Sequence, residues 1–157
     1  MRTGPGISRV VWLLPAAALL ACSKGQESSQ AAMAQGGAQA MAPTPVTLAS
    51  KNNSGITGTV SLAKTGDSTT IAVTLNGGTP GATYPSHIHA GHCDQPGAVV
   101  TPLTSVAVGP DHSGTSMTTV ATSVLDSARQ QYGSLLEQSH QPDGTPAACG
   151  EIPASMP

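Results

Sequence analysis

The chain has 157 residues, six basic against eight acidic, for a formal net charge of −2. That length is one domain with appendages, since a domain typically takes roughly 100–200 residues. The charge balance excludes a nucleic-acid binder that works by neutralising phosphates. Only 2% of the residues are aromatic, so any core has to be assembled from Val, Leu, Ile and Ala.

In chain order, Arg2 and Arg9 flank the start of an apolar run over residues 10–21 that ends at Cys22. A run of that length falls short of the about 20 residues needed to span a bilayer and suits the core of a secretory signal. The residues Leu19-Leu20-Ala21-Cys22 resemble the lipobox of bacterial lipoproteins, which implies cleavage after Ala21 and acylation of Cys22. The expectation is a signal peptide over 1–21 and a lipid-anchored, periplasm-facing protein of the bacterial cell envelope. Ser23 after Cys22 is compatible with the outer membrane. The remaining chain carries four basic and eight acidic residues, a net charge of −4, so membrane attachment would come from the lipid and not from a basic patch. Residues 22–45 are Ala, Gln, Gly and Ser with Met33 and Met41, and have no periodic apolar face. They read as a lipidated flexible tether, with a methionine-based Cu(I) site as the lesser reading.

Residues 46–157 form the expected domain. The stretch 55–64, GITGTVSLAK, alternates Ile56, Gly58, Val60 and Leu62 against Thr57, Thr59, Ser61 and Ala63, and 69–75 alternates again through Ile71, Val73 and Leu75. A period of two on either side of the turn residues TGDS predicts a β-hairpin. Residues 83–89, TYPSHIH, form a further extended segment, and 98–103, 105–108 and 116–121 are short strand candidates. Many short strands with Gly/Pro punctuation predict an all-β sandwich or barrel. Helical spacing occurs only over 123–136, through Val124, Leu125, Ala128, Tyr132 and Leu135. With Cys22 set aside, Cys93 and Cys149 are an even pair in an exported chain and read as a disulfide.

The stretch SHIHAGHC, 86–93, holds three of the five histidines and one of the three cysteines. On a strand His87 and His89 project to one face, half of a site suited to copper or zinc; taken alone, the pair also fits a solvated polar surface. His140 is the best third donor, because it follows an apolar segment and lies nine residues before Cys149, so a Cys93–Cys149 bridge would draw it towards the pair. His92 is a further candidate ligand. His112, in the turn GPDHSGT, reads as loop surface, and Asp94, Asp111 and Asp143 as turn residues. No serine, histidine and acid share a motif for nucleophilic catalysis, and no Gly-rich loop has the spacing of a phosphate cradle.

Residues 55–93 resemble the first half of the copper/zinc superoxide dismutases: a hairpin, a Gly-rich connection, a strand ending in His-x-His, then a cysteine. The segment AACGEI, 147–152, resembles that family's terminal strand. The resemblance spans about residues 46–153 and implies an eight-stranded Greek-key β-barrel. It implies that His87 and His89 are the first two copper ligands and His140 the last, and that Cys149 pairs with Cys93. Two departures stand out. The loop CDQPGAVVTPL, 93–103, has no histidine where the family places its bridging and zinc ligands, so zinc is not expected; His92, outside the family's ligand positions, is either a replacement for the bridging ligand on copper or a solvated loop histidine. Pro146 stands where the family has its active-site arginine. The pattern looks like zinc-less, superoxide-dismutase-like bacterial lipoproteins, which shade into chordin-type domains. Three functions stay open: a copper-only dismutase acting on superoxide, a copper-holding protein with a copper donor or acceptor as partner, and a metal-free structural or interaction module.

Overall fold

The computed structural model describes residue 43 and residues 45–155. The expected signal run, Cys22, Met33 and Met41 lie outside the described residues.

Eight strands and one helix follow one another as β1 (Val46–Ser50), β2 (Thr57–Thr65), β3 (Ser68–Asn76), β4 (Thr83–His92), β5 (Gln95–Ala107), β6 (Ser113–Ala121), α1 (Thr122–Tyr132), β7 (Leu135–His140) and β8 (Pro146–Ile152). All ladders are antiparallel, in the order β5-β4-β7-β8-β1-β2-β3-β6. Consecutive strands β3 and β4 are separated by β6 and β5, and β6 and β7 by β5 and β4, so the connections are Greek-key crossovers. The two ends of the order meet. The Thr104 N–H donates to Thr118 Oγ1 at 2.7 Å, and the two threonine hydroxyls are 3.1 Å apart. At this seam Gly114 is required, because a Cβ there would fall on the Ala107 carbonyl oxygen. The sheet is thereby curled into a nearly closed barrel.

The expected hairpin is β2–β3, paired without a break from Thr57↔Asn76 to Thr65↔Ser68. Its alternating Val60, Leu62, Ile71, Val73 and Leu75 are buried in one core with Leu48, Ile88, Val106, Leu125 and Leu135. The two short candidates at 98–103 and 105–108 are one continuous strand, β5. The helix is shorter than its periodicity suggests. Gly133, at φ +82°, ends it with an N–H bond to the Arg129 carbonyl, and Leu135 belongs to β7. Of the expected apolar residues that fall within α1, Leu125 and Ala128 are buried and Val124 and Tyr132 are exposed. The N-terminus of α1 has no side-chain cap. Thr122 replaces one, its N–H bonded to the Asp67 carbonyl at 2.8 Å and its hydroxyl to that of Thr69 at 2.9 Å.

Cys93 and Cys149 form the expected disulfide, with Cα atoms 5.9 Å apart. It ties the end of β4 to β8 across 56 residues of chain, and a crosslink over that span stabilises by about 4 kcal/mol in the chain-entropy model. The expected outcome of replacing both cysteines by serine is a loss of that order in urea-induced unfolding of the purified protein. A loss below about 1 kcal/mol would show that the unfolded chain gains little freedom when the bridge is absent.

Candidate metal centre

β4 pairs with β7 in an unbroken register, Ser86↔Ser139, His87↔Gln138, Ile88↔Glu137, His89↔Leu136 and Ala90↔Leu135. Side chains alternate across a strand, so Ser86, Ile88, Glu137 and Ser139 share the inner face with the core, and His87 and His89 share the outer one. His140 lies one residue beyond the ladder, after a register shift between Ser139 and His140 against β8. A bulge of this kind re-aims a side chain. Here it accompanies a His140 ring whose centroid is 5.3 Å from that of His87 and 5.9 Å from that of His89. His87 and His89 are 5.7 Å apart by the same measure.

One ring nitrogen from each of the three lies within 4.8 Å of the other two. Three nitrogens bound to a single ion at about 2.0–2.1 Å lie closer together than this, so a metal would draw the three rings inwards. The tautomers suit this. His89 Nδ1 is 3.1 Å from the Gly97 carbonyl oxygen, and His140 Nδ1 is 3.0 Å from that of Gly144. A carbonyl only accepts, so each Nδ1 carries the proton and each Nε2 is left with its lone pair. Those two Nε2 atoms and His87 Nδ1 are buried without a hydrogen-bond partner among the described residues. Burial, followed by the neighbouring His140 and His89, lowers the pKa of His87 below its ordinary 6.5, which keeps it neutral and able to coordinate. Three orphaned imidazole nitrogens fit a metal ion; they do not by themselves select which one.

The other two histidines lie outside this group. His92, a candidate replacement ligand, has both ring nitrogens engaged: Nδ1 is 3.2 Å from Glu151 Oε2 and Nε2 is 2.9 Å from Ser134 Oγ. His112 sits in the left-handed region at φ +63°. Its ring nitrogen is bonded to the Gly78 carbonyl at 3.0 Å and its own carbonyl accepts the Gly78 N–H at 3.1 Å, so it stitches two turns together. Asp111 and Asp143 are turn residues, bonded to Ser113 and Thr145. Those hydrogen bonds hold both carboxyls below the usual range.

Behind the histidines, inside the barrel, is a polar group that the sequence did not suggest. Ser139 Oγ donates to Glu137 Oε1 at 2.7 Å, and the Ser86 and Ser139 hydroxyls are 2.8 Å apart. Glu137 is fully buried and its Oε2 has no partner among the described residues. Burial pushes its pKa up from 4.5 to about 8, so at neutral pH it is a neutral acid. The sequence signal was slight: Leu135, Glu137 and Ser139 are two apart, but a lone glutamate usually means surface.

No model of a known protein family matches this chain, and no curated protein matches it.

The buried carboxyl has a consequence for stability. Unfolded, it loses its proton near 4.5; folded, near 8. Folding takes up a proton between those values, so stability falls as pH rises through them. Relative to Glu137→Gln, the unaltered protein should lose stability by up to ~1.4 kcal/mol per pH unit over that range, read from denaturation curves at several pH values. Parallel curves would refute the burial of an ionisable group. The lowered pKa of His87 acts in the opposite direction below 6.5 and cancels in the comparison.

Proposed function

We propose that this is an exported, lipid-anchored copper protein of the bacterial envelope whose β-barrel holds copper through His87, His89 and His140 and dismutates superoxide. The observation that carries the copper reading is a cluster of three histidines with one ring nitrogen of each within 4.8 Å of the others, each histidine also having a buried ring nitrogen without a partner among the described residues. All-imidazole donors suit copper, and the resemblance of 55–93 and 147–152 to the copper/zinc superoxide dismutases favours it over zinc. Copper at such a site supplies one-electron chemistry, oxidising one superoxide to dioxygen and reducing a second to peroxide. The chain's own part is to fix the ligand tautomers, through the Gly97 and Gly144 carbonyls, and to keep His87 neutral by desolvation. His87 and His140 are partly exposed, which gives a small anion access from solvent. The Cys93–Cys149 disulfide supports export, since such bonds persist in oxidising compartments. No helix among the described residues is long and apolar enough to cross a membrane; in this reading attachment is through acylated Cys22.

A second reading, copper holding without turnover, is favoured by Pro146. It stands where the resemblance places a cationic residue, and the mature charge is −4. Neither draws in an anion, and steering changes on-rates by roughly 10–10³-fold. The partner would then be a copper donor or acceptor.

Copper titration against a competing chelator should show each of His87→Ala, His89→Ala and His140→Ala weakening binding by more than ~100-fold, beyond what loss of an outer-shell partner costs. His112→Ala should leave it unchanged. Affinity should fall as the pH is lowered, because protons compete for imidazoles that must bind the ion unprotonated. Small, equal effects from all four would mean diffuse surface binding. A superoxide assay on the loaded protein then separates the two readings: copper without turnover leaves the holding protein. Cys22→Ser should release the protein from membranes in fractionated cells, and unchanged membrane retention would remove the lipid anchor from the proposal.

A further inference from the structure

The residues that keep His92 out of the metal group are themselves an arrangement with a chemistry. Ser134 Oγ is 2.9 Å from His92 Nε2, and His92 Nδ1 is 3.2 Å from Glu151 Oε2. A carboxylate accepts, so the His92 proton sits on Nδ1 and Nε2 is left to accept from the serine hydroxyl. That is the tautomer a general base for serine needs, with an acid behind it holding the ring. Such constellations are recognised by geometry and roles and not by sequence motif. The three residues lie 42 and 59 positions apart in the chain, which is why the sequence shows no motif.

The arrangement is held from several sides. His92 precedes Cys93, whose disulfide partner Cys149 lies two residues before Glu151. The Cys93 N–H donates to Glu151 Oε1 at 3.4 Å, and the Gly91 N–H donates to the Ser134 carbonyl at 2.9 Å. The His92 and Glu151 side chains are 57% and 54% exposed, and even a fully charged contact at such exposure contributes only about 0–1 kcal/mol, so stability alone does not account for it. Ser134 and Glu151 also line a cavity of about 320 Å³ whose other walls include Leu135, Ile152, Pro153 and Ala154. That is the lower end of the size range of small-molecule sites, and its walls are mainly apolar. The Ser134 main-chain N–H has no main-chain acceptor among the described residues, and an oxyanion formed at the adjacent side chain would need such a donor.

We propose that Ser134, His92 and Glu151 form a second site, independent of the histidine metal centre, that hydrolyses small carboxylic esters through an acyl-serine. Ser134 Oγ attacks the ester carbonyl carbon while its proton passes to His92 Nε2. The bond from carbon to the alkoxy oxygen breaks, and the alcohol leaves with that proton. Water then attacks the acyl carbon, giving a proton to His92; the bond to Ser134 breaks, Oγ recovers the proton and the carboxylic acid departs. Glu151 is a positioning residue: it touches no reacting atom and acts through the His92 ring.

The test is run on the purified full chain in excess EDTA, so that metal-bound hydroxide contributes nothing. A fluorophosphonate probe should label Ser134 stoichiometrically, mapped by peptide mass spectrometry, and p-nitrophenyl butyrate should be hydrolysed. Ser134→Ala should abolish the label and lower hydrolysis by at least ~100-fold, and His92→Ala should abolish labelling with Ser134 still present. Glu151→Gln keeps the shape and a hydrogen-bond acceptor but not the charge; it should slow labelling by at least ~10-fold, and by up to ~10⁴-fold, at an unchanged melting temperature, which a merely structural role would not do. No label on Ser134 of the unaltered chain overturns the proposal without reference to any variant. So does labelling of Ser134 at an undiminished rate in His92→Ala, or hydrolysis that survives Ser134→Ala, the sign of acyl transfer to scattered surface histidines. Copper binding by the same variants reports separately on the other centre.

Discussion

The backbone ladder between β4 and β7 decides more than any other interaction in the molecule. Five consecutive pairs, from Ser86↔Ser139 to Ala90↔Leu135, join segments that lie some fifty residues apart in the chain. Because alternate side chains face opposite ways, one register sets both sides of the wall at once. It aims His87 and His89 outwards beside His140, and turns Ser86, Ile88, Glu137 and Ser139 in. A slip of one residue would exchange the two sets, burying imidazoles in an apolar core and exposing Ile88 and Leu135. The apolar residues on the inner face thus hold the polar chemistry on the outer face in place.

That ladder is also where the sequence is hardest to read. The β2–β3 hairpin is legible because one face is buried and the other wet, so apolar and polar residues alternate. β7 has no such contrast: Leu135, Leu136, Glu137, Gln138 and Ser139 are all buried, and a strand covered on both sides loses its period of two. The helical spacing of Leu125, Ala128 and Tyr132 then runs on into Leu135 unopposed. Gly133 was the signal that should have stopped it, as glycine commonly ends helices. His87 and His89 are legible from their spacing alone. His140 needed the disulfide, which is itself legible from an even pair of cysteines. Glu137 is illegible by ordinary rules, since a carboxyl is seldom fully buried unless paired.

The five histidines separate by what their ring nitrogens meet. In His89 and His140 a backbone carbonyl takes one nitrogen and leaves the other bare, and His87 Nδ1 is bare as well; His92 has protein partners on both; the His112 ring binds back to a neighbouring turn. Sequence spacing groups His92 with His87 and His89, three residues further along one strand. Hydrogen bonding divides them, because the hairpin at Gly91–Gln95 carries His92 away to the edge where β8 and the segment after α1 converge.

The strand order carries a further consequence, for how the chain reaches this state. β1 lies between β2 and β8, paired to the latter at Ala49↔Cys149 and Ser50↔Ala148. The first strand of the domain therefore has no partner on one side until the last has been synthesised, and β7, with His140, is in the same position. Pairings of such large sequence separation form slowly, because the chain must close a long loop before any contact rewards it. The wall that holds the histidines can only be completed after translation of the whole domain, and in the interval the open edges of β1 and β4 are templates for pairing with other chains. Assembly of this barrel is thus a race between closing on itself and sticking to its neighbours, and the Cys93–Cys149 bond, which must wait for β8, locks the closed arrangement once it is reached.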